Sequence, residues 1–193
     1  MEAVAASSKV VKYVDIPLQH IDEEMLNLMR RETSRQHIED LIQALRATIP
    51  DITLRTTFIV GFPGETEKHF ESLLEFIERT RFQRLGIFTY SQEDGSRATK
   101  MTGQVPPATK NARYRRAMRL QQEIARQLAD AMVGKEIKAL VEQPLIARSA
   151  ADAPEVDTRV LLTSGAPVGE FVKVRVTATQ VYDLRGDPIC VIH

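Results

Sequence analysis

Hydrophobic and β-branched residues occur in short runs through the first half of the chain, and helical patterns lie between them. The runs at residues 10–16, 54–62 and 85–91, which read VVKYVDI, LRTTFIVGF and LGIFTYS, predict buried strands. Residues 22–30 and 34–48, between the first two runs, have the spacing of amphipathic helices. Strands that recur with helices between them predict βα units, right-handed crossovers and a parallel sheet.

Capping residues and helix breakers mark where the predicted helices begin and end. Thr33, with Gln36 three residues later, has capping-box spacing, and Pro50 stops the helix that follows. Pro63 ends the second strand run, and Thr66 is placed to cap the next helix. The apolar residues of that helix recur at helical spacing: Phe70, Leu73, Leu74, Phe76 and Ile77.

A long helix is predicted after a loop rich in Gly, Ser, Thr and Pro at residues 92–107. Residues 108–132 contain no Gly or Pro, and Gly134 ends the pattern. The expected apolar stripe is Tyr114, Met118, Leu120, Ile124 and Leu128, and the expected basic face is Lys110, Arg113, Arg116 and Arg119. We expect the stripe to pack between two domains and the basic face to be solvated. The alternative is that the basic face binds RNA or is attracted to the ribosome at long range.

From residue 134 onward the pattern changes to short alternating runs that are separated by Gly, Pro and Asp. The runs lie at residues 136–142, 159–163, 171–184 and 188–192. Such spacing predicts a small antiparallel β-barrel. The change of period places a domain boundary near residue 133. The predicted units are an α/β unit at 1–106, a connecting helix at 107–133 and the β-barrel at 134–193.

Composition adds a limit on partners and on metal chemistry. The formal charge is zero overall, but residues 107–133 carry six basic and two acidic side chains, so the charge is concentrated there. The single cysteine, Cys190, cannot form an internal disulfide or a site of several thiolates. No apolar run is long enough for a membrane span, and the first twelve residues lack a signal-peptide pattern. We therefore expect neither export nor membrane insertion.

Polar residues and glycines follow the predicted strands, at the end where a parallel sheet binds ligands. Gln19 and His20 follow the first strand, and their side chains are suited to hydrogen bonds with ribose hydroxyls. After the second strand, Gly61 permits close backbone approach to a flat group such as adenine. The alternative is that the glycines only permit a tight turn into the helix, with Glu65 complementing the helix dipole.

Arg55, Phe88 and Tyr90 lie on the predicted strands or at their ends. Arg55 is an even number of residues from Gly61, so both belong to one face of the sheet, where a guanidinium is suited to clamp a carboxylate. An ion pair at the start of the strand is the alternative for Arg55. Phe88 and Tyr90 alternate on the third strand, and they either flank an adenine ring or pack in the core.

Three carboxylates, Asp152, Glu155 and Asp157, lie close together in the segment ADAPEVD. Their spacing lacks the glycine turn and the terminal bidentate glutamate of a calcium loop. Pro154 favours an exposed, extended segment suited to contacting a partner, and a solvated loop is the alternative. The histidines show no metal-ligand spacing, so none is assigned to a metal: His20, His37, His69 and His193.

Four segments in a fixed order make the chain similar to the later part of the radical S-adenosylmethionine methylthiotransferases: YVDIPLQH, TLRTTFIVGFPGET, FTYSQEDGS and ARSAADAPEVD. The resemblance covers nearly the whole chain and is to the type that modifies a small-subunit ribosomal protein. It implies an α/β fold that is a partial parallel βα barrel, the second half of a radical-SAM barrel. The small antiparallel β-barrel that follows resembles a TRAM domain, which is OB-like.

The resemblance implies S-adenosylmethionine and 4Fe–4S clusters as cofactors of the full-length enzyme. The cluster-binding CxxxCxxC segment of the family is missing here, and Cys190 cannot replace it. We therefore expect no catalytic residue and no metal ligand in this chain, and no activity from it alone. The implied cofactor contacts are Gln19, Arg55, Val60, Gly61, Glu65, Phe88 and Tyr90, and the implied substrate contacts are Asp152, Glu155 and Asp157.

The implied substrate is an aspartate of a small-subunit ribosomal protein, whose β-carbon gains a methylthio group, and the implied location is the cytoplasm. The barrel carries seven basic and eight acidic residues, a balance that favours a protein partner, with possible ribosome contact, over RNA. Three alternatives stay open: a transfer RNA methylthiotransferase, a non-catalytic module that binds ribosomes or RNA, and an unrelated βα enzyme that binds a phosphorylated molecule near Thr66.

Overall fold

The computed structural model describes residues 1–180 and 182–192. The helices are α1 (Glu2–Ala6), α2 (Glu23–Leu28), α3 (Arg35–Thr48), α4 (Glu67–Thr80) and α5 (Pro107–Asp130), with a 3-10 turn at Ala98–Lys100. The strands are β1 (Tyr13–Gln19), β2 (Thr53–Val60), β3 (Arg84–Thr89), β4 (Glu136–Gln143), β5 (Ile146–Ser149), β6 (Val160–Leu162), β7 (Phe171–Gln180) and β8 (Asp183–Ile192). The predicted strands and helices of the first half are confirmed, each within a few residues.

Strands β1, β2 and β3 form a parallel sheet in that order, as the βα pattern predicts. Along β2, Leu54, Phe58 and Val60 are buried against the helices, whereas the alternate residues Arg55 and Ile59 are only partly buried. The pleat of a strand sends successive side chains to opposite faces, so the helices cover one face of the sheet. The other face, which we call the inner face, is less covered.

Aromatic packing fixes the helix-covered side of the sheet. Phe58 of β2 meets Phe76 of α4 edge to face, with ring centroids 6.2 Å apart, and meets Phe82 at 6.1 Å. All three rings are at most 2% exposed. Such edge-to-face contacts add to the free energy gained by burying the rings, so they hold α4 against the sheet in one position.

The helix starts show which capping residues the fold uses. Ser34, rather than the predicted Thr33, caps α3, because its side chain accepts a hydrogen bond from the amide of His37. Thr66 caps α4 as predicted, and His69 completes a capping box with it. Both ends therefore satisfy backbone amides that would otherwise lack a partner.

Helix α5 confirms the predicted long helix, but its buried face is rotated from the predicted one. Arg113, expected on the basic solvated face, is 6% exposed, whereas Tyr114 of the expected apolar stripe is 38% exposed. The buried positions include Ala117 and Ile124, whose small or apolar side chains let α5 approach β3 and α4 closely. Arg113 is buried because a buried carboxylate, described below, needs a partner.

The second half forms a closed barrel in the order β4-β5-β6-β8-β7. Four of its pairings are antiparallel, as predicted, but β6 and β8 pair in parallel. The predicted single run 171–184 is a hairpin of β7 and β8, in which Val181 lies outside the described residues. Buried Ala139, Val141, Val160 and Val174 fill the barrel. Among the described residues, no helix is long and apolar enough to cross a membrane.

Candidate functional site

The carboxyl ends of the three parallel strands form one rim of the sheet, and most of the polar residues named from the sequence lie there. Gln19 ends β1, Gly61 follows β2, and Tyr90 follows β3. The amide of Tyr90 donates to the carbonyl of Val60 at 2.9 Å, so the second and third ends are joined directly. In a parallel sheet this rim is where loops and helix amino termini meet a ligand. We call it the carboxyl rim.

Gln19 has a backbone conformation that only few non-glycine residues adopt. Its φ is +69°, and the pairing of β1 with β2 shifts register between Ile16 and Gln19. Non-glycine residues with left-handed backbone are uncommon, and they are concentrated at functional sites. The backbone therefore turns Gln19 at the rim out of the regular strand, while its side chain stays partly exposed.

Glu65 is the centre of a buried hydrogen-bond network behind the rim. Its Oε2 accepts from the amide of Gly61 at 2.5 Å and from Nη1 of Arg113 at 2.7 Å. Its Oε1 lies 3.3 Å from Nε2 of His20, and the side chains of Glu65 and His20 are both fully buried. The carboxylate thus joins the end of β1, the loop after β2 and helix α5.

The network also assigns the proton on His20. The amide of Asp22 donates to Nδ1 of His20 at 3.0 Å, so Nδ1 is an acceptor. Nε2 then carries the hydrogen and donates to Glu65. His20 is therefore a satisfied buried histidine that holds the loop after β1 in place. Glu65 holds Gly61 in position at the rim, and its predicted cofactor contact stays untested.

Lys110 of α5 lies over the loop that follows β2. Gly61 has a φ of +76°, and a side chain at that position would collide with Cγ of Lys110. Nζ of Lys110 donates to the carbonyl of Tyr90 at 2.9 Å and lies 4.7 Å above the Tyr90 ring. Glycine is required at this position because the turn is tight and because Lys110 lies against it. A glycine that permits a tight turn is the alternative role that the sequence left open for Gly61.

The aromatic residues of β3 have different surroundings. Phe88 is 61% exposed on the inner face, so it is not a core aromatic. Tyr90 packs against Phe62 with ring centroids 5.1 Å apart, and its hydroxyl is buried with no hydrogen-bond partner among the described residues. A buried hydroxyl without a partner is rare and marks a place where a further polar group fits. Phe88 offers a free apolar surface, and Tyr90 offers an unused donor.

The side chain of Val60 does not reach the site. It is fully buried in the core on the helix-covered face of the sheet. The predicted cofactor contact of Val60 stays untested, and its side chain is not placed to make that contact. The strand alternation that places Arg55 and Gly61 on one face places Val60 on the other.

Arg55 lies at the opposite end of the inner face from the rim. It forms ion pairs with Asp15 at 3.6 Å and with Asp157 at 3.7 Å, at the start of β2. Six residues of strand separate Arg55 from Gly61, which is about 20 Å at 3.3 Å per residue. These contacts agree with the alternative for Arg55, which is an ion pair at the start of the strand. The predicted clamping of a carboxylate by Arg55 stays untested.

The segment ADAPEVD joins the barrel to the amino ends of the parallel strands. Arg84 of β3 pairs with Asp152, whose carboxylate also accepts from Ser149. Tyr13 of β1 donates to Asp157 at 2.5 Å. Burial, followed by this hydrogen bond, raises the pKa of Tyr13 above its ordinary value. We call these contacts the domain clasp.

The clasp changes the expectation for the three carboxylates of this segment. Asp152 is 6% exposed, and the side chain of Asp157 is also 6% exposed, so both are engaged within the chain. An exposed, extended segment is therefore wrong for these two residues, because Arg55 and Arg84 on the inner face need counterions. Glu155 alone is exposed, and its φ is +62°.

Sequence reasoning missed four residues that shape the site: Tyr13, Arg84, Lys110 as a cover for Gly61, and Arg113 as a buried partner. Tyr13 and Arg84 start their strands at positions that share the face of Arg55, which was a usable signal. Of the histidines, His69 lies 3.2 Å from Glu24, His37 is exposed, and His193 lies outside the described residues. No group of metal-binding side chains occurs within residues 1–180 and 182–192.

Comparison with protein families matches both halves of the chain. Residues 1–77 match the radical SAM superfamily, and residues 133–189 match the TRAM domain. Among solved structures, coproporphyrinogen III oxidase (HemN) from Escherichia coli, described as a radical SAM enzyme, is similar with a TM-score of 0.52. The likeness has 18% identity and covers 58% of this chain and 27% of that one, so it shows the fold alone. The fold and the matches define a class, in which radical SAM-type βα units are joined to a TRAM barrel.

Within that class, the curated relatives indicate one type. Ribosomal protein uS12 methylthiotransferase RimO of Opitutus terrae is 51% identical over 188 residues, which are 97% of this chain and 40% of the relative. The proteins of the same name from Desulforamulus reducens and Akkermansia muciniphila are 44% and 45% identical, over 97% and 96% of the chain and 44% and 41% of the relatives. The chain is therefore similar to the RimO type over nearly all of its length, and it spans less than half the length of these relatives.

Proposed function

We propose that this chain supplies one wall of the S-adenosylmethionine pocket in an enzyme that adds a methylthio group to ribosomal protein uS12. The observation that carries the proposal is similarity to uS12 methylthiotransferases over nearly the whole chain. The carboxyl rim supports it, because the strand ends that the sequence singled out converge there. The reacting carbon is the β-carbon of an aspartate, as the resemblance implies.

Several residues of the rim fit an adenosyl group. Phe88 presents a largely exposed ring for stacking, the amide of Gln19 is accessible for hydrogen bonds, and Tyr90 carries a hydroxyl without a partner among the described residues. The chemistry that this cofactor supplies when bound is radical hydrogen abstraction from an unreactive carbon. In our proposal Phe88 excludes water from the pocket and Gln19 orients the ribose. Glu65 keeps the loop of Gly61 in position.

The residues of this chain do not fit an iron–sulfur cluster. Cluster iron is held by several cysteine thiolates, and the one cysteine of the chain, Cys190, lies exposed on β8 of the barrel. We therefore assign no step of the reaction to a cluster bound by these residues. In our proposal the 4Fe–4S clusters of the enzyme are held by residues outside the present sequence.

Charges on the barrel support a protein substrate over transfer RNA. Glu136 pairs with Lys173 and Arg175, and Arg148 pairs with Glu142, so much of the positive charge is neutralised locally. Phosphate binding requires clustered cations that are not already paired. A ribosomal protein substrate also implies action in the cytoplasm, which we include in the proposal.

A chimera tests the proposed function. The present chain replaces the matching 40% of the Opitutus terrae relative, which is 51% identical to it, so that the cluster-binding part is supplied. After reconstitution of clusters, the chimera is incubated with S-adenosylmethionine, a sulfur source, a reductant, and either uS12 or transfer RNA. We expect mass spectrometry to find one methylthio group on an aspartate of uS12 and none on transfer RNA. A chimera that carries clusters and cleaves the cofactor, but leaves uS12 unmodified, contradicts the proposal.

A further inference from the structure

Lys110 lies in the first turn of α5, where its positive charge is unfavourable for the helix. The amino terminus of a helix carries a partial positive charge, so an acidic residue is favoured there and a cation is disfavoured. Helix α5 begins at Pro107, and its first turn contains no acidic residue. The ion pairs of α5 are made by arginines further along the helix, and Lys110 forms none with the residues that the structure describes. The contacts that hold Lys110 in place therefore come from outside its own helix.

The alkyl stem of Lys110 packs on the loop that follows β2. A β-carbon at Gly61 would collide with Cγ of Lys110 and would lie 3.1 Å from its Cβ and Cδ, so the stem occupies the space beside the Gly61 backbone. The amide of Gly61 also donates to Oε2 of Glu65 at 2.5 Å, so this loop is held on two sides. The stem therefore fixes the start of α5 against the end of β2.

The ammonium group of Lys110 holds the end of β3. Nζ donates to the carbonyl of Tyr90 at 2.9 Å and lies 4.7 Å from the centroid of the Tyr90 ring. The amide of Tyr90 donates to the carbonyl of Val60 at 2.9 Å, so the Tyr90 backbone is bound to β2 on one side and to α5 on the other. A hydrogen bond from a charged donor is stronger than a neutral one, and a cation above an aromatic ring adds electrostatic attraction. One side chain thus contacts two of the strand ends that meet at the carboxyl rim.

We propose that Lys110 is a positioning residue for the S-adenosylmethionine pocket, because it fixes the ends of β2 and β3 relative to each other. Gly61 and Tyr90 belong to the part of the carboxyl rim that is assigned to the adenosyl group, so this inference rests on the proposed function. Without the ammonium group, the carbonyl of Tyr90 loses the only partner that the structure describes for it. Small shifts of the rim matter, since a displacement of about 1 Å can lower the rate of a reaction about a hundredfold.

Amide hydrogen exchange of the 193-residue chain, followed residue by residue with NMR spectroscopy, tests the contact without clusters or cofactor. Lys110→Met keeps an alkyl stem beside Gly61 but removes the ammonium group. We expect the amide of Tyr90 to exchange roughly tenfold faster in this variant, which is the size of effect expected for the loss of one hydrogen bond from a charged group. The amide of Gly61, which stays bound to Glu65, and the amides of the barrel should keep the rates of the parent chain.

Arg126→Met is the matched control for this measurement. Arg126 is an exposed cation of the same helix that already has two carboxylate partners, so its loss should leave the exchange of Tyr90 at the parent rate. Unchanged exchange of Tyr90 in Lys110→Met overturns the proposal. Faster exchange of Tyr90, Gly61 and the barrel amides together also overturns it, because that result shows a loss of global stability rather than the loss of one contact at the rim.

The cluster-loaded chimera then tests whether the contact serves the cofactor. Equilibrium dialysis should give a Kd for S-adenosylmethionine that is roughly tenfold higher for Lys110→Met than for the parent chimera and unchanged for Arg126→Met. Equal Kd values for the parent and Lys110→Met overturn the inference. A parent chimera that holds clusters but does not bind the cofactor contradicts the proposed function itself, so the two failures are distinguishable.

Discussion

Glu65 joins three separate segments of the chain through one buried carboxylate. It accepts hydrogen bonds from Gly61, His20 and Arg113, and its side chain has no exposed surface. A buried charge is costly unless it is paired and fully hydrogen-bonded, so each of these partners is needed. The conformation of the loop after β2 therefore depends on a residue of α5 that is 48 positions away in the sequence.

Replacing this carboxylate by an amide tests that dependence. Glu65→Gln leaves the guanidinium of Arg113 buried without a counterion, so we expect the free energy of unfolding to fall by about 3 kcal/mol. Denaturant titration of the 193-residue chain measures the change. Glu67→Gln is the control, because Glu67 also pairs with Arg113 and Arg116 but is 59% exposed, and its loss should be below about 1 kcal/mol. Equal losses for both variants would refute the central position of Glu65.

At the scale of elements, the pairing of β7 with β8 in the barrel depends on one glycine. Gly186 on β8 pairs with Val176 next to a register shift. A β-carbon at Gly186 would lie 2.5 Å from the carbonyl oxygen of Arg175 and 2.5 Å from Cγ1 of Val174. Since backbone atoms cannot move aside cheaply, β7 and β8 approach closely only because this residue is glycine.

Gly186→Ala should destabilise the barrel by about 1–3 kcal/mol, because the added methyl group overpacks the hairpin. Gly165→Ala is the matched control, since its β-carbon would come no closer than 3.8 Å to the carbonyl oxygen of Pro144 and its φ is not left-handed. Thermal unfolding of the two variants measures the difference. A loss for Gly165→Ala as large as that for Gly186→Ala would show that the close approach does not matter.

The elements also show which features the sequence could predict. Periodicity and breakers identify β1, β2, β3 and the three longer helices, because strands and amphipathic helices are local patterns. They miss the short strand β5 and the parallel pairing of β6 with β8, which depend on closure of the barrel. They also misplace the buried face of α5, because Arg113 is buried by a distant carboxylate rather than by its neighbours in sequence.

For the candidate site, too, the sequence predicts features that follow from local elements but not contacts between distant segments. Gln19, Gly61 and Tyr90 could be placed at one rim from the sequence, since parallel strands end together. The clasp could not be predicted, because residues near position 155 meet residues near positions 13 and 84 only after both halves have folded. A cluster of carboxylates in a loop reads as exposed until its counterions are known.

At the scale of the whole molecule, the domain clasp fixes the barrel against the amino ends of the parallel strands. Tyr13, Arg55 and Arg84 come from three strands, and Asp152 and Asp157 come from one loop of the barrel. Because these charges and hydrogen bonds are partly buried, removal of one partner would leave a poorly solvated charge, which costs more than the loss of an exposed pair. The carboxyl rim stays free at the other end of the sheet.

Because of the clasp, the free energy of unfolding should change with pH in the alkaline range. The pKa of Tyr13 is raised in the folded protein, so the neutral phenol is favoured there. Its contribution is complete below the ordinary tyrosine pKa of about 10 and is lost as the pH rises above that value. The free energy of unfolding should therefore fall more steeply above pH 10 in the parent chain than in Tyr13→Phe. Parallel pH profiles would argue against the Tyr13–Asp157 hydrogen bond.

The central claim is that the inner face binds S-adenosylmethionine at its carboxyl rim and not at its clasp end. Equilibrium dialysis of labelled cofactor with the cluster-loaded chimera measures this directly, with Phe88→Ala and Gln19→Ala as rim variants and Tyr13→Phe as the control at the clasp end of the same face. We predict that Kd rises roughly tenfold for Phe88→Ala, rises for Gln19→Ala, and stays unchanged for Tyr13→Phe. Equal affinity in the parent and both rim variants, or a loss confined to Tyr13→Phe, would contradict the account.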